Sequence, residues 1–252
     1  VKQTVVTGSV SGDLFGITSP FGTNPVAFSV GAEYRKLSSS AQPDQASSIQ
    51  SEVLGTGARV PTDFGQYNVK EAFGEVRIPL LRDMPLFHEL TFSGSGRVAR
   101  YAGSVGTVYA YSAGVDYAPI RDIRFRGSYS QSVRAPYLGE LFSPASQNFA
   151  AAPNDPCSAR NLATGSATRA ANCAAAGRPA NYDFVYTSSI EILSGGNRNL
   201  KQEKSRSITL GTVITPRFIP GLTVSADYYN IQVSNTINSI SAQNILNLCY
   251  DS

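Results

Sequence analysis

Hydrophobic and polar residues alternate along most of this chain, the signature of strands, whose successive side chains point to opposite faces. Between 25 and 36 one face reads Val26, Phe28, Val30, Ala32, Tyr34 and the other Ala27, Ser29, Gly31, Glu33, Arg35. Segment 68–80 divides into Ala72, Gly74, Val76, Ile78, Leu80 against Glu71, Phe73, Glu75, Arg77. Segment 107–118 divides into Tyr109, Tyr111, Ala113, Val115, Tyr117 against Val108, Ala110, Ser112, Gly114, Asp116. The clearest case is 123–133, with Ile123, Phe125, Gly127, Tyr129, Gln131, Val133 opposite Arg124, Arg126, Ser128, Ser130, Ser132. The whole pattern predicts strands at 1–11, 25–36, 68–80, 87–101, 107–118, 123–133, 205–215 and 222–236. In the last, Leu222, Val224, Ala226 and Tyr228 share a parity that Ile231, Val233 and Ile237 break. Either a bulge near Asn230 flips the register or the strand runs past the region where the rule holds.

The connections sort by end. Those at 12–24, 81–86, 119–122 and 216–221 are modest, whereas 37–67 and 134–204 are long, with 102–106 a short exception among the latter set. A closed antiparallel barrel crossing a bilayer has short turns at one end and long loops at the other. A soluble sandwich also alternates, but has no reason to sort its loops. Glu, Arg and Asp in mid-strand need water or a partner, which a wet lumen supplies. The expected fold class is therefore all-β, an antiparallel transmembrane β-barrel segment of about eight strands. Tyr34, Tyr67, Tyr101, Tyr109, Tyr117, Tyr228 and Tyr229 are expected to contribute to aromatic girdles at the two interfaces.

Composition agrees with this reading. Only 15% of residues are charged, against roughly 25% in soluble domains. Aromatic weight sits in 13 Tyr and 12 Phe with no Trp. The net charge of +3 is spread along the chain, and no Lys/Arg block suggests nucleic acid. No stretch approaches the roughly 20 apolar residues of a transmembrane helix, so a membrane chain of this kind must cross with strands. The sequence opens in a strand-like pattern at Val1 with no signal peptide and stops abruptly at Tyr250-Asp251-Ser252. Both ends read as cuts through a longer protein.

Enzymatic motifs are weak. Gly94-Ser95-Gly96-Arg97-Val98-Ala99 matches a dinucleotide fingerprint formally, but no helix follows it, so small residues on a barrel wall are the plainer reading. His88 is the only histidine, and without a second ligand it gives no metal spacing. The sequence holds no G-x-S-x-G. Neither an enzyme nor a cofactor is expected. Attention falls on 134–204, since long connections serve as binding surfaces or lids or are disordered. Phe142, Phe149, Tyr182, Phe184 and Tyr186 are its aromatic anchors. It also holds Cys157 and Cys173, which in an oxidising compartment can form a bridge stabilising by about 3 kcal/mol, or else remain free thiols in a reducing one. Cys249 is left without a partner in either case.

Around this connection the residues become familiar. The run from Phe125 through Val133-Arg134-Ala135-Pro136 to Gly139-Glu140-Leu141-Phe142 resembles TonB-dependent outer-membrane receptors, whose outgoing strands end in a similar Arg-Ala-Pro followed by Glu-Leu-Phe. Gly196-Asn197-Arg198-Asn199-Leu200-Lys201-Gln202-Glu203-Lys204-Ser205 is similar to the family's Gly-Asn-Pro-x-Leu-Lys-Pro-Glu-x-Ser, with Arg198 and Gln202 in place of two prolines. Val30 to Arg35 and Val69 to Val76 look like paired strands flanking an outer loop, and Val224 to Tyr229 with Ile231 like a late strand. Asp155-Pro156-Cys157 and Asn172-Cys173 resemble a disulfide loop in one branch of the family.

The resemblance implies a barrel of about 22 strands around a plug, of which this chain would supply about eight. It further implies uptake of a scarce nutrient (a ferric siderophore, cobalamin or an oligosaccharide) across the outer membrane of a Gram-negative bacterium, with energy from the TonB complex acting through the plug. Partners would be outer-membrane lipid, the plug, that complex and the small-molecule ligand. It places 37–67, 102–106 and 134–204 outside the cell and makes 1–252 one partial barrel domain. Expected ligand or plug contacts are Glu75, Arg77, Asp116, Arg124, Arg126, Arg134, Glu140, Phe142 and Tyr182, with Cys157 and Cys173 as the disulfide. A passive porin-like channel and a cell-surface β-sandwich are the alternatives. If Cys157 and Cys173 are bridged, a reducing agent raises protease cleavage within 134–204 and leaves the strands protected; equal cleavage with and without reductant counts against the bridge.

Overall fold

A computed structural model describes residues 1–18, 24–52 and 58–252. Eight long strands form a single sheet in the order β1-β2-β3-β4-β5-β6-β9-β10. They are β1 (Lys2–Thr18), β2 (Pro25–Ala41), β3 (Asp63–Met84), β4 (Phe87–Tyr101), β5 (Thr107–Ile120), β6 (Ile123–Arg134), β9 (Glu203–Ile214) and β10 (Val224–Ser234). The sheet is open, each outermost strand having a neighbour on one side only. Short elements lie between β6 and β9: helix α1 (Leu138–Phe142), strand β7 (Ser146–Ala150), helix α2 (Arg169–Ala175) and strand β8 (Ile190–Ser194). Helix α3 (Ala242–Asp251) follows β10. No helix among the described residues is long and apolar enough to cross a membrane.

Register sorts the side chains across the whole sheet. Ser95 faces Ser112, Ser112 faces Ser130, and Ser130 faces Ser207. One position over, Gly94 faces Ala113, which faces Tyr129, which faces Ile208. The first row belongs to a continuous polar face and the second to a continuous apolar one. The apolar face meets no protein: Val10 is 65% exposed, Tyr109 61% and Leu210 54%. Apolar area of that extent is stable only against another apolar medium.

β3 runs beyond the predicted 68–80 at both ends. Its alternation is obscured where Asp63 to Tyr67 leave the apolar band and where a register shift between Pro79 and Leu81 changes parity. β1 continues to Thr18; of the connection expected at 12–24, positions 19–23 lie outside the described residues, as do 53–57 of that expected at 37–67. β10 pairs with β9 from Val224 to Ser234 without a shift, so no bulge occurs near Asn230. Ile231 and Val233 lie on the polar face, opposite Ser207 and Ser205. The expected girdle also needs correction. Tyr34, Tyr109, Tyr117 and Tyr228 do share the apolar face, joined by Tyr111 and Tyr129 with rings 6.2 Å apart. Tyr67 and Tyr101 instead pack together, centroids 6.1 Å apart, against the buried cluster of Val69, Ala99, Val105 and Val108 on the other side. Tyr229, opposite Thr209, is on that side too.

The chain divides into two compact units. The first holds the sheet with 135–142 and 197–202; the second gathers 41–63, 143–196 and 238–252.

One glycine in the sheet shows how tightly polar groups are fitted. Arg126, Gly211 and Asp227 lie in one register row on β6, β9 and β10. The Arg126 guanidinium reaches across the glycine to Asp227 Oδ1 at 2.7 Å. A Cβ on Gly211 would meet the Asp227 carboxylate and stand 2.6 Å from Arg126 Nε. Gly211→Val is therefore expected to lower the unfolding midpoint of the intact protein in detergent more than Asp227→Asn does. Overpacking costs about 1–3 kcal/mol, while a half-exposed ion pair contributes about 1 kcal/mol at most. Equal shifts for the two variants would contradict this account.

Candidate functional site

The polar face carries three networks in which each arginine meets a carboxylate. Arg35 Nε donates to Glu33 at 2.8 Å and lies 3.8 Å from Glu71, which also accepts from Arg97. Glu71 is 9% exposed, so the two guanidiniums offset the cost of its burial. Nearer the turn end, Glu89 lies 2.8 Å from Arg124 and 3.7 Å from Arg77. Arg126 pairs with Asp227 as described. The first of these networks borders a concavity of about 500 Å³, lined also by Glu75, Ser112 and Ser130. Glu75 and Asp116 have no ion-pair partner among the described residues, although Asp116 faces Arg126 in register.

At the opposite end of β6, Arg134 clamps two carboxylates. Its Nε donates to Glu203 Oε2 at 2.6 Å, and its Nη1 to Glu140 Oε2 at 3.0 Å. Glu140 also accepts from the Tyr137 N–H at 2.9 Å, and Glu203 from the Ile237 N–H at 2.7 Å. The Asn197 N–H donates to the Glu140 carbonyl at 2.7 Å. The two sequence motifs thus close on each other, Arg134 and Glu140 from the first meeting Asn197 and Glu203 from the second. Phe142 lies over Gly65 of β3, where a Cβ would stand 2.8 Å from the Phe142 Cβ. Arg198 lies over the Phe142 ring, 5.5 Å from its centroid. The Ser104 hydroxyl donates to the Leu200 carbonyl at 2.8 Å, and Lys201 reaches the Ser104 carbonyl. Pro136 is fully buried. Segments 135–142 and 197–202 therefore form a cap fixed to the polar face of β3 and the β4–β5 hairpin.

The second unit has its own framework. β7 and β8 pair antiparallel, Ser146 opposite Ser194, and Cys157 is bonded to Cys173. Tyr182 donates to Asp155 Oδ2 at 2.6 Å. That bond holds the phenol proton and raises the Tyr182 pKa to about 12. Arg160 grips Asp183 at 2.7 Å and holds its carboxyl down at about 2. Rings of Tyr182 and Phe184 stack at 6.4 Å, and Phe184 meets Tyr186 edge-on at 4.9 Å. Arg169, buried in α2, binds Asp251 of α3 at 2.6 and 2.5 Å and holds that carboxylate below its ordinary pKa.

Among the expected contact residues, Arg77 and Arg124 share Glu89; Arg134, Glu140 and Phe142 meet in the cap. Tyr182, Cys157 and Cys173 belong to the second unit. The expected contact residues omit Glu33, Glu71, Glu89, Glu203 and Asp227, the carboxylate halves of these pairs, though alternation marks Glu33 and Glu71 as polar-face residues and the second motif contains Glu203. Sequence reasoning also missed α3, whose start is signalled by Ser241, the hydroxyl of which caps Asn244 N–H at 3.2 Å. No group of three or more metal-ligating side chains occurs among the described residues.

Comparison with known proteins gives one consistent answer. The profile of the family described as TonB dependent receptor-like, beta-barrel, matches residues 2–251. No curated protein sequence matches the chain. The fold is similar to that of a mutant of the ferric enterobactin receptor PfeA of Pseudomonas aeruginosa, crystallised with enterobactin, at a TM-score of 0.60 and 16% identity, covering 95% of this chain and 28% of that one. A second mutant of the same receptor gives 0.57, 15%, 92% and 26%. The siderophore receptor PirA of Acinetobacter baumannii gives 0.55, 13%, 92% and 27%. The chain thus spans about a quarter of the length of the receptors it matches.

Removing the clamp should loosen the cap alone. In Arg134→Ala, Glu140 and Glu203 lose their shared cation, and amide exchange at 135–142 and 197–202 is expected to rise at least tenfold while β4 and β5 stay protected; a tenfold change corresponds to about 1.4 kcal/mol. Unchanged exchange in both segments would refute the clamp.

Proposed function

The chain belongs to the TonB-dependent receptor-like β-barrel family, and from that premise we propose that it forms part of the wall of an outer-membrane receptor that imports a scarce nutrient. The observation that carries the reading is the two-faced sheet. Its apolar side is unpartnered over eight strands while its polar side holds paired charges, as a barrel between lipid and a wet, plugged lumen requires. The energy is supplied by the TonB complex through a plug domain. The ligand is a small molecule, a ferric siderophore being the first candidate because PfeA and PirA are siderophore receptors; cobalamin and oligosaccharides are the others.

On this reading Glu75, Arg77, Asp116, Arg124 and Arg126 face the plug. Glu75 and Asp116 are the groups with hydrogen-bonding capacity to offer, since the arginines are already engaged. Arg134, Glu140 and Phe142 serve by holding the cap in place. Tyr182, with Phe184 and Tyr186, offers an aromatic surface to an incoming ligand, and the Cys157–Cys173 bridge keeps that segment folded.

The test is uptake of labelled ferric siderophores, cobalamin and oligosaccharides by cells with and without the intact protein, each with and without an uncoupler of the proton gradient. One ligand is expected to accumulate only when both protein and gradient are present. Uptake that rises linearly with concentration and ignores the uncoupler would mean a passive channel instead.

A further inference from the structure

Helix α3 is amphipathic in reverse. A surface helix ordinarily turns its apolar stripe inward and its polar residues to water. In α3 the polar stripe is the bound one, with Gln243, Asn247 and Asp251 following one another at four-residue spacing. Gln243 accepts from the Asn154 N–H at 2.7 Å and donates to the Asn154 carbonyl at 3.0 Å. Arg169 donates to Asn247 and Asp251, and the Asn172 amide donates to the Tyr250 and Ser252 carbonyls, each at 2.9 Å. The opposite stripe is Ile245, Leu248 and Cys249, three and four residues apart. Ile245 is 56% exposed and Leu248 59%, and Cys249 is an exposed free thiol. Ile240, just before the helix, is exposed as well. Polar bonds therefore fix α3 while its apolar stripe stays uncovered. Two features of the chain bear on what covers it. The outer edge of β10 is unpaired, and a barrel wall closes such edges with a further strand. Because α3 follows β10, it lies in the connection to that strand, and polypeptide leaving its pinned last turn is tethered beside the stripe. The receptors of similar fold have length to supply it, this chain covering 28% of PfeA. The second feature is redox. Cys157 and Cys173 are bonded, so this unit folds where thiols are oxidised, and an odd cysteine there calls for a partner.

We propose that the outer stripe of α3 is covered by the segment of the same polypeptide that leads from Ser252 to the strand beside β10, and that Cys249 forms a second disulfide with a cysteine in that segment. The segment brings apolar side chains to Ile245 and Leu248 and one thiol to Cys249. As the bond closes, the two thiols lose two protons and two electrons to a protein disulfide acting as oxidant, which leaves as its dithiol. This rests on the barrel-wall reading given above. The rival occupant is a second copy of the chain, meeting this one stripe to stripe across a two-fold axis with Cys249 bonded to its own counterpart. Closure within one chain is favoured over that pairing, because a short tether at Ser252 holds the segment at an effective concentration of about millimolar.

The intact protein that carries this sequence is purified from outer membranes without reductant, alkylated, digested and mapped by mass spectrometry. Cys249 is expected to escape alkylation and to be joined to a peptide from the connection after Ser252, with reductant releasing both. Alkylated Cys249 overturns the proposal, as does Cys249 joined to a peptide from outside that connection. So does Cys249 joined to its counterpart, in a dimer that disappears on reduction. The apolar contact is read by hydrogen exchange in the Ile245→Ser, Leu248→Ser double variant. Exchange in the joined segment is expected to rise about tenfold as two apolar contacts are lost, while 157–173 keeps its protection. Unchanged exchange there overturns the covering of the stripe. Mapping uses the unaltered protein, so the bridge is tested even if the double variant does not fold. Heat-modifiable migration reads the barrel separately. A protein without it refutes the wall reading itself, whereas one that shows it and has a free Cys249 refutes only the proposal.

Discussion

Strand register is the constraint on which this structure depends. A slip of one residue in any pairing would exchange the two faces of a strand. In β3 it would carry Glu71, Glu75 and Arg77 to the apolar side, and in β6 it would carry Arg124 and Arg126 there. With the apolar face in lipid, as proposed above, a basic side chain at the midplane costs about 2–4 kcal/mol, with carboxylates costing somewhat less. A slipped β6 would thus lose more than any single ion pair in the sheet supplies. The backbone adds a second demand, because an amide facing hydrocarbon has no water to turn to. The paired charges of the polar face follow from the same sorting. They are confined to one side, close enough to neutralise one another, and Gly211 leaves room for one pair to reach across a strand.

Parity was readable in the strands whose alternation is unbroken. Segments 87–101, 107–118 and 123–133 match β4, β5 and β6 to within two residues at each end. Where two solvents cease to dictate the pattern, the sequence became ambiguous. Tyr67 looks like an interfacial ring by composition, yet it belongs with Val69 in an apolar pocket on the otherwise polar side. Ile231 and Val233 looked like evidence of a bulge, but β10 is an edge strand exposed on both faces, and its end tolerates either character. The elements inside 143–196 were not legible for a different reason. β7, α2 and β8 are five to seven residues long, too short to carry a period. β7 and β8 are held by pairing with each other, and α2 by the Cys157–Cys173 bond and by Arg169 meeting Asp251, a residue 82 positions away.

The cap explains why two motifs so far apart in the chain read as one signature. Arg134 and Glu203 end one strand and begin the next in the sheet, directly opposite each other, and Glu140 folds back to share the guanidinium. Bidentate geometry of this kind needs arginine in particular, since a lysine ammonium cannot present two parallel donors to each of two carboxylates. One of the two departures from the family pattern also finds a place here. Arg198, standing where a proline is usual, lies over the Phe142 ring in a cation–π contact. The turn thereby exchanges backbone stiffness for a side-chain contact.

The second compact unit is assembled from three separate stretches, 41–63, 143–196 and 238–252. Gln50 bonds Gln147 at 2.7 Å, Gln243 bonds Asn154, and Arg169 bonds Asp251. Surface connections ordinarily diverge one at a time, because each is anchored only at its own ends. These cannot. An insertion or substitution tolerated in one must be accommodated by the other two, so selection on any one of them acts on all three. Their history should be one of joint change, with a loop borrowed alone from a relative failing to fold where the whole set would succeed.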